Sequence, residues 1–174
     1  MSCSILLLIP EKRYFEMKTA SQLAKQLVKA YQTKGLTLAT AESCTGGLIA
    51  KLITDIPGSS AVLYGGFVTY TNEVKIGILG VDPAIIAKES EVSHACAEAM
   101  AEGARKRLGS SVGVSTTGYA GPGGGNEKDP VGTVYIGIST SKGTYSERFC
   151  APGGSTRAEV RKAAAMRALE LLLL

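Results

Sequence analysis

Helix signatures and short apolar runs alternate along this chain with no linker between them, and that alternation leaves few architectures open. Thr19-Ala-Ser-Gln22 has the spacing of a capping box, in which two side chains three residues apart satisfy free backbone N–H groups reciprocally. Leu23, Leu27, Ala30 and Tyr31 then recur at helical spacing, and Gly35 stands where a left-handed residue ends a helix. Leu36 to Ala41 is short and apolar, as a buried strand is. A second helix is expected to open at Ser43, with Leu48, Ile49, Leu52 and Ile53 on its apolar stripe and Pro57-Gly58 as its break. Ala61 to Tyr70 is rich in aromatic and β-branched residues and predicts a second strand, with a bulge or close packing at Gly65-Gly66.

Helical turns are expected over residues 72–79 and 83–88, an alanine-rich helix over 93–108 and a third strand over 112–117. Residues 118–130 read as a loop rich in glycine and proline. Two strand-like runs, 131–140 and 144–150, flank Ser141-Lys-Gly143 and predict a hairpin. A second capping box, Thr156-Arg-Ala-Glu159, opens a final helix. The sum is an α/β fold: a three-layer α/β/α sandwich around a mixed sheet of about five strands. One domain is expected over residues 18–174. Residues 1–17 read as an extension outside it, because the apolar stretch Ile5 to Ile9 is too short for a membrane span or a signal-peptide core. The apolar end, Leu171 to Leu174, suits either the chain's own core or a second subunit in a homo-oligomer.

Composition narrows the function classes. At 174 residues with 45% hydrophobic side chains the chain can bury a sizeable core. Its net charge of +4 comes without any Lys/Arg-rich block, and only 6% of residues are aromatic, so neither nucleic acid nor a membrane surface is the expected partner. The four cysteines are far apart and there is one histidine, which leaves no metal-ligand spacing and no disulfide framework. Free thiols and a cytoplasmic location are expected. No metal and no cofactor are expected either.

Four constellations carry possible chemistry. In Thr40-Ala-Glu-Ser-Cys-Thr-Gly-Gly47 a serine stands between a strand and a helix, where backbone N–H groups can stabilise an oxyanion. Cys44 competes with Ser43 as nucleophile, and a plain N-cap is the alternative. Tyr70-Thr-Asn-Glu-Val-Lys75 offers a base: His94 is far from the other candidates in sequence, so a Ser-Lys pair assisted by Tyr70 is favoured over a histidine triad. By itself Lys75 reads as a solvated surface residue. Gly118-Tyr-Ala-Gly-Pro-Gly-Gly-Gly-Asn126 is no Walker A loop, but its N–H groups suit a ligand. Pro152-Gly-Gly-Ser-Thr-Arg157 places an arginine at a helix start, a ready phosphate site or a plain capped helix.

Taken together with Asp55-Ile-Pro-Gly-Ser-Ser60, Gly66-Phe-Val-Thr-Tyr-Thr-Asn72 and Pro130-Val-Gly-Thr-Val134, these motifs resemble the CinA C-terminal-domain family from about Ser21 to the end. The resemblance implies hydrolysis of the carboxamide of nicotinamide mononucleotide to nicotinate mononucleotide and ammonia. It implies Ser43, Tyr70 and Lys75 as the catalytic groups and Arg157 as a ligand contact. The substrate is expected against Thr45, Gly46 and Gly47 in the first loop, against Gly118, Ala120 and Gly121 in the second, and on Arg157. Tyr119 departs from the smaller aliphatic residue that the family pattern suggests. Larger family members carry an N-terminal pyrophosphatase domain, which is not expected here, so the resemblance implies the deamidase half alone, and nothing in these residues points to competence or DNA damage. Two other readings stay open on sequence: a non-catalytic nucleotide-binding or regulatory module, and an amidase for another small amide.

Overall fold

The computed structural model describes residues 18–174; the expected extension, residues 1–17, lies outside the described residues. Five strands, β1 (Leu38–Glu42), β2 (Leu63–Val68), β3 (Val112–Gly118), β4 (Thr133–Thr140) and β5 (Gly143–Cys150), form one mixed sheet in the order β2-β1-β3-β4-β5. β1 runs parallel to β2 and β3, whereas β4 pairs antiparallel with both β3 and β5. Six helices surround it: α1 (Ala20–Lys34), α2 (Leu48–Thr54), α3 (Asn72–Val74), α4 (Pro83–Glu89), α5 (His94–Leu108) and α6 (Arg157–Leu171). A single π-turn, Lys75–Leu79, continues α3.

Alternation along β1 sorts the layers. Leu38 faces a core shared with α1, α2 and α6, among them Leu27, Ile49, Ile53 and Leu169. Ala39 and Ala41 face the other side, against Leu79, Cys96 and Met100 of the π-turn and α5. Helices therefore cover both faces, as the three-layer expectation has it. Burying one such aliphatic side chain contributes roughly 1.5–3 kcal/mol, so the sequence pattern dominates the choice of layers.

The alanine-rich α5 sits unusually close to the sheet. A Cβ at Gly113 would meet the Ala101 carbonyl, and one at Gly137 the Ala97 carbonyl. Small residues on both surfaces let helix and strand backbones approach, and any side chain at either glycine overpacks the contact.

Both capping boxes form: Thr19 accepts from the Gln22 amide, and Thr156 from the Glu159 amide. The expected strand over residues 61–70 is shorter, because Ser59–Ala61 coils into a 3-10 turn and pairing ends at Val68. Leu38 pairs with Leu63 but Ala39 with Gly65, which leaves Tyr64 as the extra residue of a bulge. At the C-terminus Leu171 and Leu172 are buried in the chain's own core, and the Tyr31 hydroxyl donates to the Leu172 carbonyl. Leu174 is exposed. Among the described residues no helix is long and apolar enough to cross a membrane.

This topology dictates where a ligand can enter. The chain leaves β1 toward β2 through α2 on one face of the sheet. It then returns to β3, on the other side of β1, through α5 on the opposite face. Connections that diverge in this way open a crevice at the carboxyl ends of the two strands. Ser43 follows β1 and Gly118 ends β3, so both stand at that crevice.

Candidate active site

The turn after β1 is built around a buried carboxylate. Glu42 has no exposed surface, and its two oxygens accept from the Ile49 amide (3.0 Å), the Ala50 amide (2.9 Å) and the Thr45 hydroxyl (2.7 Å). An anion at a helix start is favourable, and here the anion is internal. This corrects the expectation that Ser43 caps the second helix. That helix begins at Leu48 with Gly47 as its N-cap, so residues 43–47 form a separate turn. Gly46 (φ 61°) and Gly47 (φ 90°) adopt left-handed backbone there, which a side chain would strain. Of the first α2 amides, Leu48 bonds to the Thr45 carbonyl and Ile49 and Ala50 bond to Glu42, so none of the three is free for an oxyanion. Those of Cys44 and Thr45, beside Ser43, have no backbone or side-chain oxygen partner among the described residues.

Removing the carboxylate leaves the Ile49 and Ala50 amides without an acceptor, while the Thr45 hydroxyl keeps Thr116 as a partner. Hydrogen bonds to charged groups contribute about 1.5–3 kcal/mol each, so Glu42→Ala is expected to cost about 3 kcal/mol in urea unfolding. Glu42→Gln, which keeps one carbonyl acceptor, should cost less. An unchanged unfolding midpoint for Glu42→Ala contradicts this role.

Tyr70 and Lys75 arrive from the far side of β1. The Thr69 amide donates to the Glu42 carbonyl, which ties the exit of β2 to the same turn. The Thr71 hydroxyl caps α3, and the π-turn starts at Lys75. Such one-turn π segments are frequent at functional sites. Lys75 is only 2% exposed, although by itself it reads as a surface lysine in the sequence. Among the described residues it forms no ion pair. Tyr70, by contrast, is 58% exposed, and its hydroxyl accepts from Arg157 Nη2 at 2.8 Å. Arg157 Nη1 donates to the Gly121 carbonyl at 2.7 Å. One guanidinium at the start of α6 thus joins the tyrosine to the glycine-rich loop.

These groups meet in a cavity of about 200 Å³. Of the residues expected from sequence, Ser43, Tyr70, Lys75, Gly118, Ala120 and Arg157 line it. Cys44, Glu91, Val92, Thr117 and Tyr119 complete the wall. Thr45, Gly46 and Gly47 do not line it, a correction to the sequence expectation. The Thr45 hydroxyl turns inward to Glu42 and Thr116, Gly46 lies against Arg161, and Gly47 caps α2 beside Val68. Gly121 is also off the wall and contributes through its carbonyl on Arg157. His94 stacks edge-on against Tyr135 and bonds to Ser146, away from this cavity.

Electrostatics separates the two adjacent nucleophile candidates. Burial pushes the Cys44 thiol up to about 12; nearby Lys75 and Arg157 pull against that shift, and Glu42 adds to it. A thiol so held is protonated at neutral pH and unreactive. Ser43 stands on the cavity wall with a hydroxyl that needs only a base.

A larger cavity, about 730 Å³, opens at the other end of the sheet between Tyr31, Arg105, Ser110, Tyr145 and Leu172. None of the candidate catalytic side chains reaches it. Among the described residues no group of three or more His, Cys, Asp or Glu is clustered as metal ligands are.

With this geometry in hand, similarity to known proteins is informative. The family model described as CinA C-terminal domain matches residues 20–174. A CinA-like protein of Chloroherpeton thalassium is 49% identical over 136 residues, which are 78% of this chain and 32% of that protein. A putative competence-damage inducible protein of Caldanaerobacter subterraneus subsp. tengcongensis is 46% identical over 140 residues, 80% of this chain and 34% of its own length. The chain thus spans about a third of the length of these curated relatives. The crystal structure of competence/damage inducible protein CihA from Agrobacterium tumefaciens superposes with a TM-score of 0.86 at 40% identity, covering 90% of this chain and 95% of that one.

Proposed function

The chain belongs to the CinA C-terminal-domain family, and from that premise we propose that it is a serine amidohydrolase that converts nicotinamide mononucleotide and water to nicotinate mononucleotide and ammonia. The observation that carries this reading is the meeting, on one cavity wall, of Ser43 with a buried Lys75 that forms no ion pair among the described residues. A lysine accepts a proton only as the neutral amine, and among the described residues no carboxylate is in ion-pair contact with Lys75.

Ser43 Oγ attacks the carboxamide carbon while its proton passes to Lys75 Nζ. The amide of Cys44, next to Ser43 on the cavity wall, stabilises the oxyanion, in place of the α2 amides that Glu42 occupies. As the tetrahedral adduct collapses, the C–N bond breaks and the lysine proton goes to the departing nitrogen, which leaves as ammonia. Water then attacks the acyl-serine and gives its proton to Lys75. The ester bond breaks, Ser43 recovers a proton, and the carboxylate product is free. Tyr70 orients the lysine or relays the proton. Arg157 faces the phosphate.

Purified chain should release ammonia from nicotinamide mononucleotide faster than from nicotinamide riboside or nicotinamide. No ammonia from any of the three refutes the reading. Arg157 gives a finer check. Losing one hydrogen bond to a charged group costs about 1.5–3 kcal/mol, so Arg157→Ala should raise KM for the mononucleotide roughly 10–150-fold. It should also lower kcat, because the same guanidinium holds the Tyr70 hydroxyl. The KM for the riboside, which has no phosphate, should change little. Equal KM losses for both compounds contradict phosphate recognition.

A further inference from the structure

Among the described residues Glu91 is the one carboxylate on the cavity wall, and the sequence gives no sign of it. It falls between α4 and α5, in Ser90-Glu-Val-Ser93, a stretch with no recognisable motif. Its backbone is held unusually firmly. Ser90 has φ 79°, and among the described residues it alone has positive φ without being glycine. A residue in that region persists only where its surroundings over-determine it, and such residues gather at functional sites. Here the Ser90 amide donates to the Ile86 carbonyl, and the Ser93 hydroxyl to the Ser90 carbonyl (2.9 Å). The Val92 amide donates to Ser90 Oγ (3.2 Å), and the Thr117 hydroxyl of β3 to the Glu91 carbonyl (2.6 Å).

The side chain is far less committed than the backbone. Glu91 Oε2 accepts from the Ser90 hydroxyl at 3.1 Å, and Oε1 has no donor among the described residues. No lysine, arginine or histidine among the described residues pairs with it. Lys75 nevertheless lines the same cavity. When Lys75 is the neutral base that the proposed mechanism requires, the remaining cation on that wall is Arg157, whose guanidinium is bonded to the Tyr70 hydroxyl and the Gly121 carbonyl rather than to Glu91.

We infer that Glu91 is a specificity-determining residue that favours a ligand whose ring carries a permanent positive charge, such as an N-substituted pyridinium. This rests on the reading of the cavity as a nicotinamide-mononucleotide site, where the pyridinium ring enters beside Ser43 and Lys75 and the phosphate faces Arg157. The cationic ring supplies the charge that Glu91 lacks, at the moment when the base must be uncharged. A neutral ring of the same shape gains nothing from it.

The test compares nicotinamide mononucleotide with its reduced form, which keeps the carboxamide, ribose and phosphate but has a neutral dihydropyridine ring. Binding of each is measured by calorimetry on the Ser43→Ala protein, so that turnover does not interfere. The cationic form should bind at least about 10-fold tighter, the size of one favourable charge contact in a partly solvated site. Adding Glu91→Gln should abolish most of that ratio, and Glu91→Asp should keep its direction. No preference in the Ser43→Ala protein overturns the inference, even if Glu91→Gln does not fold. An equal loss for both forms on Glu91→Gln also overturns it, because that marks a structural role. A wild-type chain that releases no ammonia, beside a Ser43→Ala protein that prefers the cationic ring, refutes the amidohydrolase reading and supports this one. Ammonia release with no ring preference does the reverse.

Discussion

Ser43→Ala is expected to lower ammonia release from nicotinamide mononucleotide by at least about 10⁴-fold, because removal of a covalent nucleophile leaves only binding and oxyanion stabilisation. The neighbouring change, Cys44→Ala, should keep most of the rate. The contrast follows from the turn after β1. Ser43 donates its amide to the Thr116 carbonyl, which fixes its backbone to β3 while its side chain stays on the cavity wall. Cys44 is 5% exposed and its thiol is pushed up to about 12, chiefly by burial, so little thiolate forms at neutral pH. Steady-state rates of the two variants, with melting curves to show that both fold, decide the matter. A Cys44→Ala protein without activity and a Ser43→Ala protein with it makes this a cysteine enzyme.

Lys75→Met carries the second large expectation. General-base assistance is worth about 10²–10⁴ in rate, so kcat should fall by that range. Methionine keeps most of the length and an apolar stem but has no nitrogen. The rise of rate with pH that tracks deprotonation of the base should vanish with it. Stability is the control. Lys75 is buried and makes no ion pair among the described residues, so an apolar replacement should leave the melting temperature unchanged or raised. A near-normal kcat refutes the role. A collapse of kcat with an equally large loss of stability assigns Lys75 to the core instead.

How far these groups were legible in the sequence depends on the range of the interaction that places them. The helix ends at Thr19, Gly35 and Thr156, the hairpin around Ser141-Lys-Gly143 and the apolar stripes of α1 and α6 rest on contacts a few residues apart, and periodicity reveals them. The start of α2 was misplaced because its cap is the Glu42 side chain, seven and eight residues before the amides it holds, outside any capping-box spacing. The burial of Lys75 depends on α5 and the cavity wall, which are distant in sequence. The bond from Arg157 to Tyr70 spans 87 residues, and only the β2-β1-β3 order brings the two together. Glu91 had no local signal at all. Its place is set by the Ser90 backbone and by Thr117 across the crevice.

The central claim is that Ser43 takes the acyl group of a carboxamide. Hydroxylamine tests it most directly, because it competes with water for an acyl-enzyme. Wild-type chain turning over nicotinamide mononucleotide should release ammonia while part of the product leaves as the hydroxamate. That part should rise with hydroxylamine concentration and be absent with Ser43→Ala. Ammonia release accompanied only by the carboxylate, at every hydroxylamine concentration, means that water attacks the amide directly and contradicts the account.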